Sequence, residues 1–592
     1  MNTSKYYCDQ FAPVLYTLVF ILLSSCLLTD GGLVAADEAP RKQRPNILFI
    51  SVDDLNDWIG CMKGHPQART PNLDRLASSG MLFNNAHCPA PACNPSRSAI
   101  MTGISPHVSG IYDNRQKMRE LLPDAELIPR YFSRNGYWSA GSGKILHYFT
   151  DADSWDDYFP PKETENPFPS TLYPEERPVN LPRGGAWQYI ETDWGPLDAT
   201  DEEFGGDYSV AQWIGNQLGK KHDKPFFLAC GIYRPHEPWF VPQKYFDLFP
   251  IEKIQLPPGY RADDLDDLPS EAQKRATNRY FAHIRKHQQW KQAIQGYLAS
   301  IAFADAMLGN VLEALDKGPN GKNTIVVLWS DHGWHLGEKE HWQKYTGWRV
   351  CTRVPLMIRV PQGTSGLMNG TTRGTICDQP VNLLSLYPTL IELAGLHPKE
   401  SNDGPSLVSL LENPNSDWPH ASITHLNRPG HFSVSGRDNR LIQYANGEQE
   451  FYDIKQDPFE WHNLAQDASK AEQIQELLTQ APKKFAPFVP AKKQKLPHLK
   501  WNRIADKPLP ESHPTGEPID IYFNNKSEQP VNIIRIDSSD KPHPYGTLER
   551  GWFKPYRARQ GEVWLVTDKK ERKLGYFVVE STMAEAIIPA EE

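Results

Sequence analysis

The chain has no surplus of positive charge. Its 63 Lys and Arg residues are outnumbered by 72 Asp and Glu, which gives a formal net charge of −9. Binding to nucleic-acid phosphates needs a basic surface, so this composition excludes nucleic acid as a partner and leaves any anionic ligand to a local cluster of cations. The length of 592 residues, with 39% hydrophobic and 23% charged residues, indicates a soluble globular protein of two or three domains.

Cysteine is scarce as well, with 8 residues in the whole chain. Cys93 has no second cysteine at the C-x2-4-C spacing of zinc sites, because Cys88 lies five residues before it. If Cys93 is modified, the cysteines outside the N-terminal region are odd in number: Cys61, Cys88, Cys230, Cys351 and Cys377. We therefore expect a fold that is not held together by disulfides.

Long hydrophobic runs are missing except near the N-terminus. The run 15–28 follows Lys5 and precedes small residues at 34–36, and it is shorter than the ~20 residues that span a bilayer. This pattern predicts a secretory signal peptide over residues 1–36, and hence a secreted or periplasmic protein. The tetrapeptide that ends at Cys26 also resembles a lipobox, so a lipoprotein anchored through Cys26 is an alternative, and a membrane anchor is a third.

Four short apolar runs have the length of strands buried on both faces of a sheet: Asn46–Val52, 225–230, Thr324–Ser330 and 355–360. Helical patterns lie between them. Thr70-Pro71 and Gly80 bracket one helix, and longer helices are predicted over 270–317 and 381–396. Strands that alternate with helices predict an α/β domain with a doubly wound sheet, and its active site belongs at the carboxyl ends of the strands.

The pattern changes after Pro419. Three short antiparallel strands and an amphipathic helix near 471–480 predict a smaller subdomain. Residues 482–518 are rich in Pro and Lys and predict a linker. Residues 519–590 alternate apolar and polar residues in short runs, which predicts an appended β-sandwich.

Residues that can carry chemistry directly follow two of the buried strands, and a third group lies at a predicted helix start. Asp53-Asp54 follows the first strand and Asp331-His332 follows the third. Two such strand ends can converge in a doubly wound sheet, and adjacent carboxylates are typical ligands of a hard divalent metal. In Cys93-x-Pro-Ser-Arg97 the proline favours an extended residue before it, and the next residues can open a helix whose N-terminus stabilises anions.

Taken together, these motifs resemble the type I sulfatases of the alkaline-phosphatase superfamily. His332 beside Asp331 resembles the iduronate-2-sulfatase branch, as do the patterns Gly143-Lys144-Ile-Leu-His147, Arg234-Pro-His236-x-Pro238 and Trp342-Gln-Lys344-Tyr345. The resemblance covers roughly residues 45–480, including the pattern Glu450-Phe-Tyr-Asp453. It implies an alkaline-phosphatase-like mixed sheet, a catalytic domain over 45–415 and a C-terminal subdomain over 416–481. The sequence departs from the family at Ile104, where an arginine often helps the modifying enzyme recognise its target.

The resemblance also implies roles for individual residues. Ca²⁺ would be held by Asp53, Asp54, Asp331, His332 and Cys93, with Cys93 oxidised to formylglycine by a formylglycine-generating enzyme. Arg97 and Lys144 would steady the aldehyde hydrate. His147 would act on its second hydroxyl. His236 and Lys344 would bind the sulfate ester, with His236 near the leaving oxygen.

This assembly predicts a sulfuric ester hydrolase that acts on a sulfated saccharide. A sulfate ester resists attack because its oxygens are negative, so cations must neutralise that charge. Two alternatives stay open. The same constellation suits a phosphoester or phosphonate monoester hydrolase, and an unmodified Cys93 would leave a non-catalytic protein that binds sulfated glycans.

The C-terminal residues 519–590 resemble the β domain of the von Hippel-Lindau protein. Tyr545 and Trp564 match aromatic positions of that family's hydroxyproline pocket, whereas Glu562 stands where a histidine is expected. The resemblance implies a module that binds a peptide or glycan. The alternative is that both aromatic residues belong to the core of the sandwich or to cross-strand pairs.

Overall fold

The computed structural model describes residues 44–162, 167–174, 177–182, 191–491 and 496–590, with the side chains of 516–518 excepted. The predicted signal peptide, with Cys8 and Cys26, lies outside the described residues. The main sheet has eight strands, in the spatial order Thr375–Cys377, Met81–Phe83, Leu356–Arg359, Thr324–Ser330, Asn46–Val52, Phe226–Ile232, Trp138–Gly143 and Asp157–Phe159.

The predicted fold class is confirmed, with a mixed rather than a purely parallel sheet. Five neighbouring strands run parallel, from Thr324–Ser330 to Asp157–Phe159. Leu356–Arg359 runs antiparallel to both of its neighbours. Every residue of Asn46–Val52 is buried, because helices cover both faces of the sheet.

Two hydrophobic clusters lie on the two faces of this sheet. One packs against Pro71–Ser79, Asp207–Leu218 and Trp290–Lys317, and the other against Ile128–Arg134 and Leu386–Leu393. The other α-helices of the described residues are Cys93–Thr102, Pro106–Ser109, Met118–Leu121, Asp201–Phe204, Gln243–Phe246, Ser270–Ala276, Arg279–Lys286, Arg349–Thr352, Val408–Glu412 and Ala471–Gln480.

Two predicted helices are wrong in extent. The pattern over 270–317 forms three helices, because the Asn278 side chain accepts from Phe281 N at 3.0 Å and starts a new helix, and the chain breaks again before Trp290–Lys317. That last helix is long and apolar enough to cross a membrane, but it is mostly buried in the protein. The pattern over 381–396 begins as the strand Val381–Asn382 before the helix Leu386–Leu393.

The predicted C-terminal subdomain is a four-stranded antiparallel sheet with one helix. Its strands are Ser422–His425, Phe432–Ser435, Asn439–Gln443 and Gln449–Asp453, and Ala471–Gln480 packs its apolar residues on them. Three two-stranded ribbons complete the catalytic part: His335–Leu336 with Trp342–Gln343, Ala86–His87 with Val381–Asn382, and Trp194–Leu197 with Trp239–Pro242.

The C-terminal module consists of two sheets around its own core. One has the strands Asn502–Arg503, Lys573–Val578, Val563–Thr567, Val531–Ile536 and Pro542–Leu548, and the other has Phe553–Gln560, Thr515–Asn525 and Ala584–Ile588. The segment predicted as a linker therefore already contributes Asn502–Arg503 to the module. Trp564 is fully buried in the core, with the Tyr545 ring centroid 4.7 Å away.

Helix Pro71–Ser79 begins at the predicted place, but its cap comes from elsewhere. The Thr70 hydroxyl accepts from Gly60 N at 2.8 Å instead of from the helix. The buried Asp305 carboxylate, on Trp290–Lys317, accepts from Leu73 N at 2.8 Å and from Asn72 N at 3.1 Å. A residue 232 positions away thus binds the free N–H groups of the first helical turn.

Asp305→Ala should lower the free energy of unfolding by about 2 kcal/mol, because two buried backbone N–H groups lose a charged acceptor. Denaturant unfolding followed by tryptophan fluorescence measures this change. Asp316→Ala is the matched control, since the half-exposed Asp316 on the same helix pairs with the exposed Arg75 at 3.0 Å and more distantly, at 3.9 Å, with the partly buried Arg359. This change should lower stability by less than about 0.5 kcal/mol. Equal losses in the two variants would contradict the assigned cap.

Candidate active site

Four adjacent parallel strands deliver polar residues to one edge of the sheet. Asn46–Val52 ends at Asp53-Asp54, and its neighbour Thr324–Ser330 ends in register with it, just before Asp331. Phe226–Ile232 on the other side leads to His236, and Trp138–Gly143 leads directly to Lys144. The carboxyl ends of these four strands thus converge, whereas the sequence predicted this only for the strands that precede Asp53 and Asp331.

Helix Cys93–Thr102 places its first residue at this convergence. Cys93 is fully buried, and Gly103 ends the helix with φ 77°. Asn94 fixes the start of the helix, because its N–H donates to Asn114 Oδ1 at 2.9 Å and its side-chain amide donates to Gln116 O at 2.7 Å. The Ser96 hydroxyl donates to Asp331 O at 2.6 Å, which ties the helix to the neighbouring strand end.

Charged groups surround the Cys93 sulfur. Lys344 Nζ lies at 3.1 Å, His332 Nε2 at 3.3 Å, Lys144 Nζ at 3.8 Å and Asp54 Oδ1 at 3.9 Å. Burial alone would raise the pKa of this thiol, but the two lysines and His332 lower it well below its ordinary value. The site therefore stabilises negative charge at this side chain.

His147 and His236 flank this cluster. Burial lowers the pKa of the His147 imidazole and outweighs the Cys93 thiol, which favours the charged form. His236 Nε2 lies 3.7 Å from Asp54 Oδ2, and its Nδ1 lies 2.5 Å from the Glu237 carbonyl oxygen. Burial opposes the charged form of His236, but the Asp54 and Asp53 carboxylates together outweigh it and raise the pKa of the imidazole. His236 can therefore hold a proton at this site.

Arg97 contacts the carboxylates directly. Its Nε lies 2.7 Å from Asp331 Oδ2 and its guanidinium reaches Asp53 Oδ1 at 3.0 Å. A further donor binds Lys144 O at 2.6 Å. Since all of these groups are buried, Arg97 holds two strand ends and the Lys144 backbone in place, and it acts on Cys93 through them.

The carboxylates and His332 have the character of a metal site. Asp53, Cys93, Asp331 and His332 offer ligand atoms within 4.8 Å of one another. Asp54 Oδ2 is buried and makes no hydrogen bond within the described residues. A cation that prefers oxygen ligands could bind this atom. His332 Nδ1 lies 3.0 Å from Gly333 O, which directs Nε2 at the cluster. The donor set thus fits a hard divalent cation.

The titratable groups of this cluster have pKa values that are shifted in different directions. Burial raises the pKa of Asp331 to about 7 even though Arg97 and His332 oppose this. Asp53 is equally buried, but Lys144, which pairs with its Oδ2, holds the pKa of this carboxyl well below its ordinary value. His332 has a pKa raised to about 9, because the neighbouring carboxylates outweigh its burial. A bound cation would take the place of the protons on Asp331 and His332 as the positive partner of the carboxylates.

The structure thus brings together all ten predicted site residues. It also shows residues that the sequence did not single out. Tyr297, in the middle of Trp290–Lys317, donates to Asp54 O at 2.7 Å and accepts from Asn56 N at 3.1 Å, and so supports Asp54 in its left-handed backbone conformation (φ 58°). Tyr297 carries no local signal in the sequence, because only the packing of this helix on the strand end makes it a partner.

Comparisons with known proteins identify the family of this chain. The family model described as sulfatase matches residues 45–396, and the model for the C-terminal region of N-sulphoglucosamine sulphohydrolase matches 337–485. A sulfatase from Formosa agariphila is 39% identical over 79% of this chain and 92% of its own length. Iduronate 2-sulfatase from Homo sapiens is 32% identical over 64% of this chain and 73% of its own length.

Two solved structures share the fold. BT4656, in complex with its substrate D-glucosamine-2-N,6-O-disulfate, gives a TM-score of 0.58 at 24% identity over 74% of this chain and 96% of its own. The phosphonate monoester hydrolase of Agrobacterium radiobacter gives 0.57 at 22% identity over 74% and 95%. The family model covers more than half of the chain, and the first relative extends over nearly all of its own length. The chain therefore belongs to the sulfatase family and is a type I sulfatase with the alkaline-phosphatase-like fold.

Proposed function

We propose that this sulfatase removes sulfate from a sulfated carbohydrate and that Cys93 is converted to formylglycine as its nucleophile. The observation that carries the proposal is the surrounding of Cys93, where two lysines, a histidine and a carboxylate lie within 3.9 Å of one sulfur atom. A hydrated aldehyde at this position supplies two hydroxyls on one carbon, whereas an ordinary Cys or Ser would be trapped after one transfer.

Burial of Cys93 constrains when the modification takes place. The side chain is fully buried, and its helix start is fixed by Asn114 and Gln116. A modifying enzyme cannot reach the sulfur in the folded protein, so we propose that a formylglycine-generating enzyme acts on the chain before it folds. This order also fits export, since residues 1–36 predict a secretory signal and a polymeric carbohydrate is met outside the cell.

The metal would be Ca²⁺, held by Asp53, Asp54, Asp331, His332 and the modified residue 93. When bound, it would neutralise the negative oxygens of the sulfate group. The support for this choice is the set of carboxylate oxygen donors and the buried Asp54 Oδ2, which makes no hydrogen bond within the described residues. Three carboxylates among the ligands favour Ca²⁺ over a softer metal such as Zn²⁺.

The remaining side chains have roles that follow from their positions. Lys144 and Lys344 approach the Cys93 sulfur from separate carboxylates, Asp53 and Asp54, so they can attract the sulfate oxygens while staying fixed. His236 carries a proton that can pass to the leaving alcohol. Burial lowers the pKa of His147, so its imidazole is neutral at pH 7 and can accept a proton beside residue 93.

The proposed substrate class rests on the relatives. Iduronate 2-sulfatase, an N-acetylglucosamine-6-O-sulfatase and an ulvan-active sulfatase all match this chain, and each of these names refers to a carbohydrate. For the C-terminal module we propose an accessory role in binding a peptide or glycan. This proposal rests on the sequence pattern alone, because Trp564 of the expected pocket is buried in the core of the module.

Hydrolysis of 4-nitrophenyl sulfate and of 4-nitrophenyl phosphate by the purified protein tests the reaction class. We expect kcat/KM for the sulfate to exceed that for the phosphate by at least about tenfold. The fold is shared with a phosphonate monoester hydrolase, so phosphate turnover that equals or exceeds sulfate turnover would replace the proposed function with phosphoester hydrolysis.

Peptide mass spectrometry of residue 93 tests the modification, and Cys93→Ala tests its role. The expected result is a peptide in which the thiol is replaced by an aldehyde, together with complete loss of turnover in Cys93→Ala without a change in the unfolding transition. Cys351→Ala is a control, because Cys351 is equally buried and its sulfur contacts the Gly333 carbonyl oxygen at 3.8 Å. Full turnover by protein with an unmodified thiol would reject the formylglycine mechanism.

His236→Ala should affect poor leaving groups more than activated ones, because a proton donor matters most for a basic alkoxide. We expect kcat on an alkyl or sugar sulfate to fall by about 100-fold or more and kcat on 4-nitrophenyl sulfate to fall by less than about tenfold. His222→Ala is the matched control at the opposite end of the strand Phe226–Ile232, where His222 stacks on Trp138. Equal losses on both substrates would remove the proton-donor role.

A further inference from the structure

Two exposed tyrosines stand at the rim of the active site. Tyr148 directly follows His147, and Tyr345 directly follows Lys344. Their side chains are 45% and 36% exposed, whereas the neighbouring Lys144 and Lys344 are buried beneath the rim. Soluble proteins bury most aromatic surface, so two exposed rings beside a buried charge cluster indicate a surface shaped for a ligand.

The backbone at both tyrosines is held in an unusual conformation. Tyr148 has φ 59° and Tyr345 has φ 77°, and they are the only aromatic residues with left-handed φ in the part of the chain that the structure describes. Asp54 and Gln343 at the same site share this conformation. A bulky residue rarely adopts it without compensation, and such positions concentrate where a site must hold side chains in a fixed direction.

Each ring is supported from below. The Tyr148 ring lies 4.4 Å from the His147 ring and 5.3 Å from the Phe168 ring, centroid to centroid, and Lys144 Nζ is 5.3 Å from its centroid. Tyr233 extends this support, with its ring 5.2 Å from Phe168 and 5.0 Å from Lys144 Nζ. Tyr148 is thus fixed by aromatic contacts while one part of it stays open to solvent.

Tyr345 is supported by polar contacts instead. Its backbone N–H donates to Pro91 O at 3.0 Å, close to the start of the Cys93 helix, and Asn114 Nδ2 donates to its hydroxyl at 3.2 Å. Asn114 also binds Asn94 N, so the rim and the position of Cys93 share one support. Tyr345 is thus held through its backbone and its hydroxyl, and 36% of its surface stays exposed to solvent.

We propose that Tyr148 and Tyr345 form a saccharide slot, in which the C–H faces of a pyranose ring pack against the two aromatic rings while its sulfate enters the charge cluster below. This proposal rests on the proposed function and names the part of the substrate that the site recognises. Tyrosine suits this role, because its ring gives a large apolar contact at a small loss of side-chain entropy and its hydroxyl can bind a sugar hydroxyl.

The test compares a ring-bearing ligand with one that has no ring. The ring-bearing probes are methyl glycoside monosulfates of iduronate, glucosamine and galactose, and the reference probe is inorganic sulfate as a competitive inhibitor. Tyr148→Ala and Tyr345→Ala should each raise KM for the hydrolysed glycoside by about tenfold, with kcat within about threefold and the inhibition constant of sulfate within about twofold. Tyr148→Phe should keep KM within about threefold, and Phe459→Ala, an exposed ring beside Trp461 and outside both the active site and the C-terminal module, should change neither KM nor kcat.

Two outcomes would overturn the slot while leaving the sulfatase reaction in place. One is turnover of 4-nitrophenyl sulfate with no turnover of any glycoside. The other is a parallel loss of kcat and of sulfate inhibition in the alanine variants, which would mean that the tyrosines only support Lys144 and Lys344.

A separate measurement keeps the two proposals distinguishable. Calorimetric binding of the same glycosides to Cys93→Ala, with and without Tyr148→Ala, reports the slot without turnover. Binding that weakens about tenfold in the double variant supports the slot even if the wild-type protein hydrolyses no sulfate ester, whereas equal binding in both overturns it.

Discussion

The structure depends on the balance of buried charge at one edge of the main sheet. Asp53, Asp54 and Asp331 are fully buried, and each faces at least one buried cation from Arg97, Lys144 or Lys344. Removal of one partner from such a network leaves an uncompensated charge, which costs about 3–5 kcal/mol for a buried pair. Each buried charge of this site is thus stabilised by its oppositely charged partners. A metal ion bound by the carboxylates would add a further cation to this network.

The strands that build this site could be predicted from the sequence because they are buried on both faces. Asn46–Val52 and Thr324–Ser330 are continuous apolar runs, and the polar residues directly after them can only lie at the carboxyl edge of the sheet. Since the two strands are parallel and in register, Asp53 and Asp331 must be neighbours. The same reasoning does not reach Lys144, because the strand before it, Trp138–Gly143, is not an apolar run in the sequence. Lys144, His147 and His236 are implied only by the resemblance to family motifs.

The features that the sequence did not predict depend on contacts over long distances in the chain. Asp305 caps a helix more than 200 residues away, and Tyr297 supports Asp54 from the middle of an apolar helix, where its hydroxyl has no periodic signal. The break of the pattern 270–317 into three helices depends on the Asn278 side chain, which competes locally for the backbone. The left-handed backbone of Tyr148 and Tyr345 is equally invisible, because local preference argues against it.

The segment after the C-terminal subdomain is more than a connection to the appended module. Gln116 Nε2 donates to Val489 O at 2.9 Å, and the Tyr112 hydroxyl donates to Ala486 O at 3.1 Å. Gln116 also accepts from Tyr112 N and Asp113 N, and its own carbonyl binds the Asn94 side chain beside Cys93. A segment whose composition predicts a linker therefore helps to support the turn that holds the start of the helix Cys93–Thr102. Its backbone binds the same Gln116 side chain that organises this turn, so the environment of Cys93 depends on residues far along the chain.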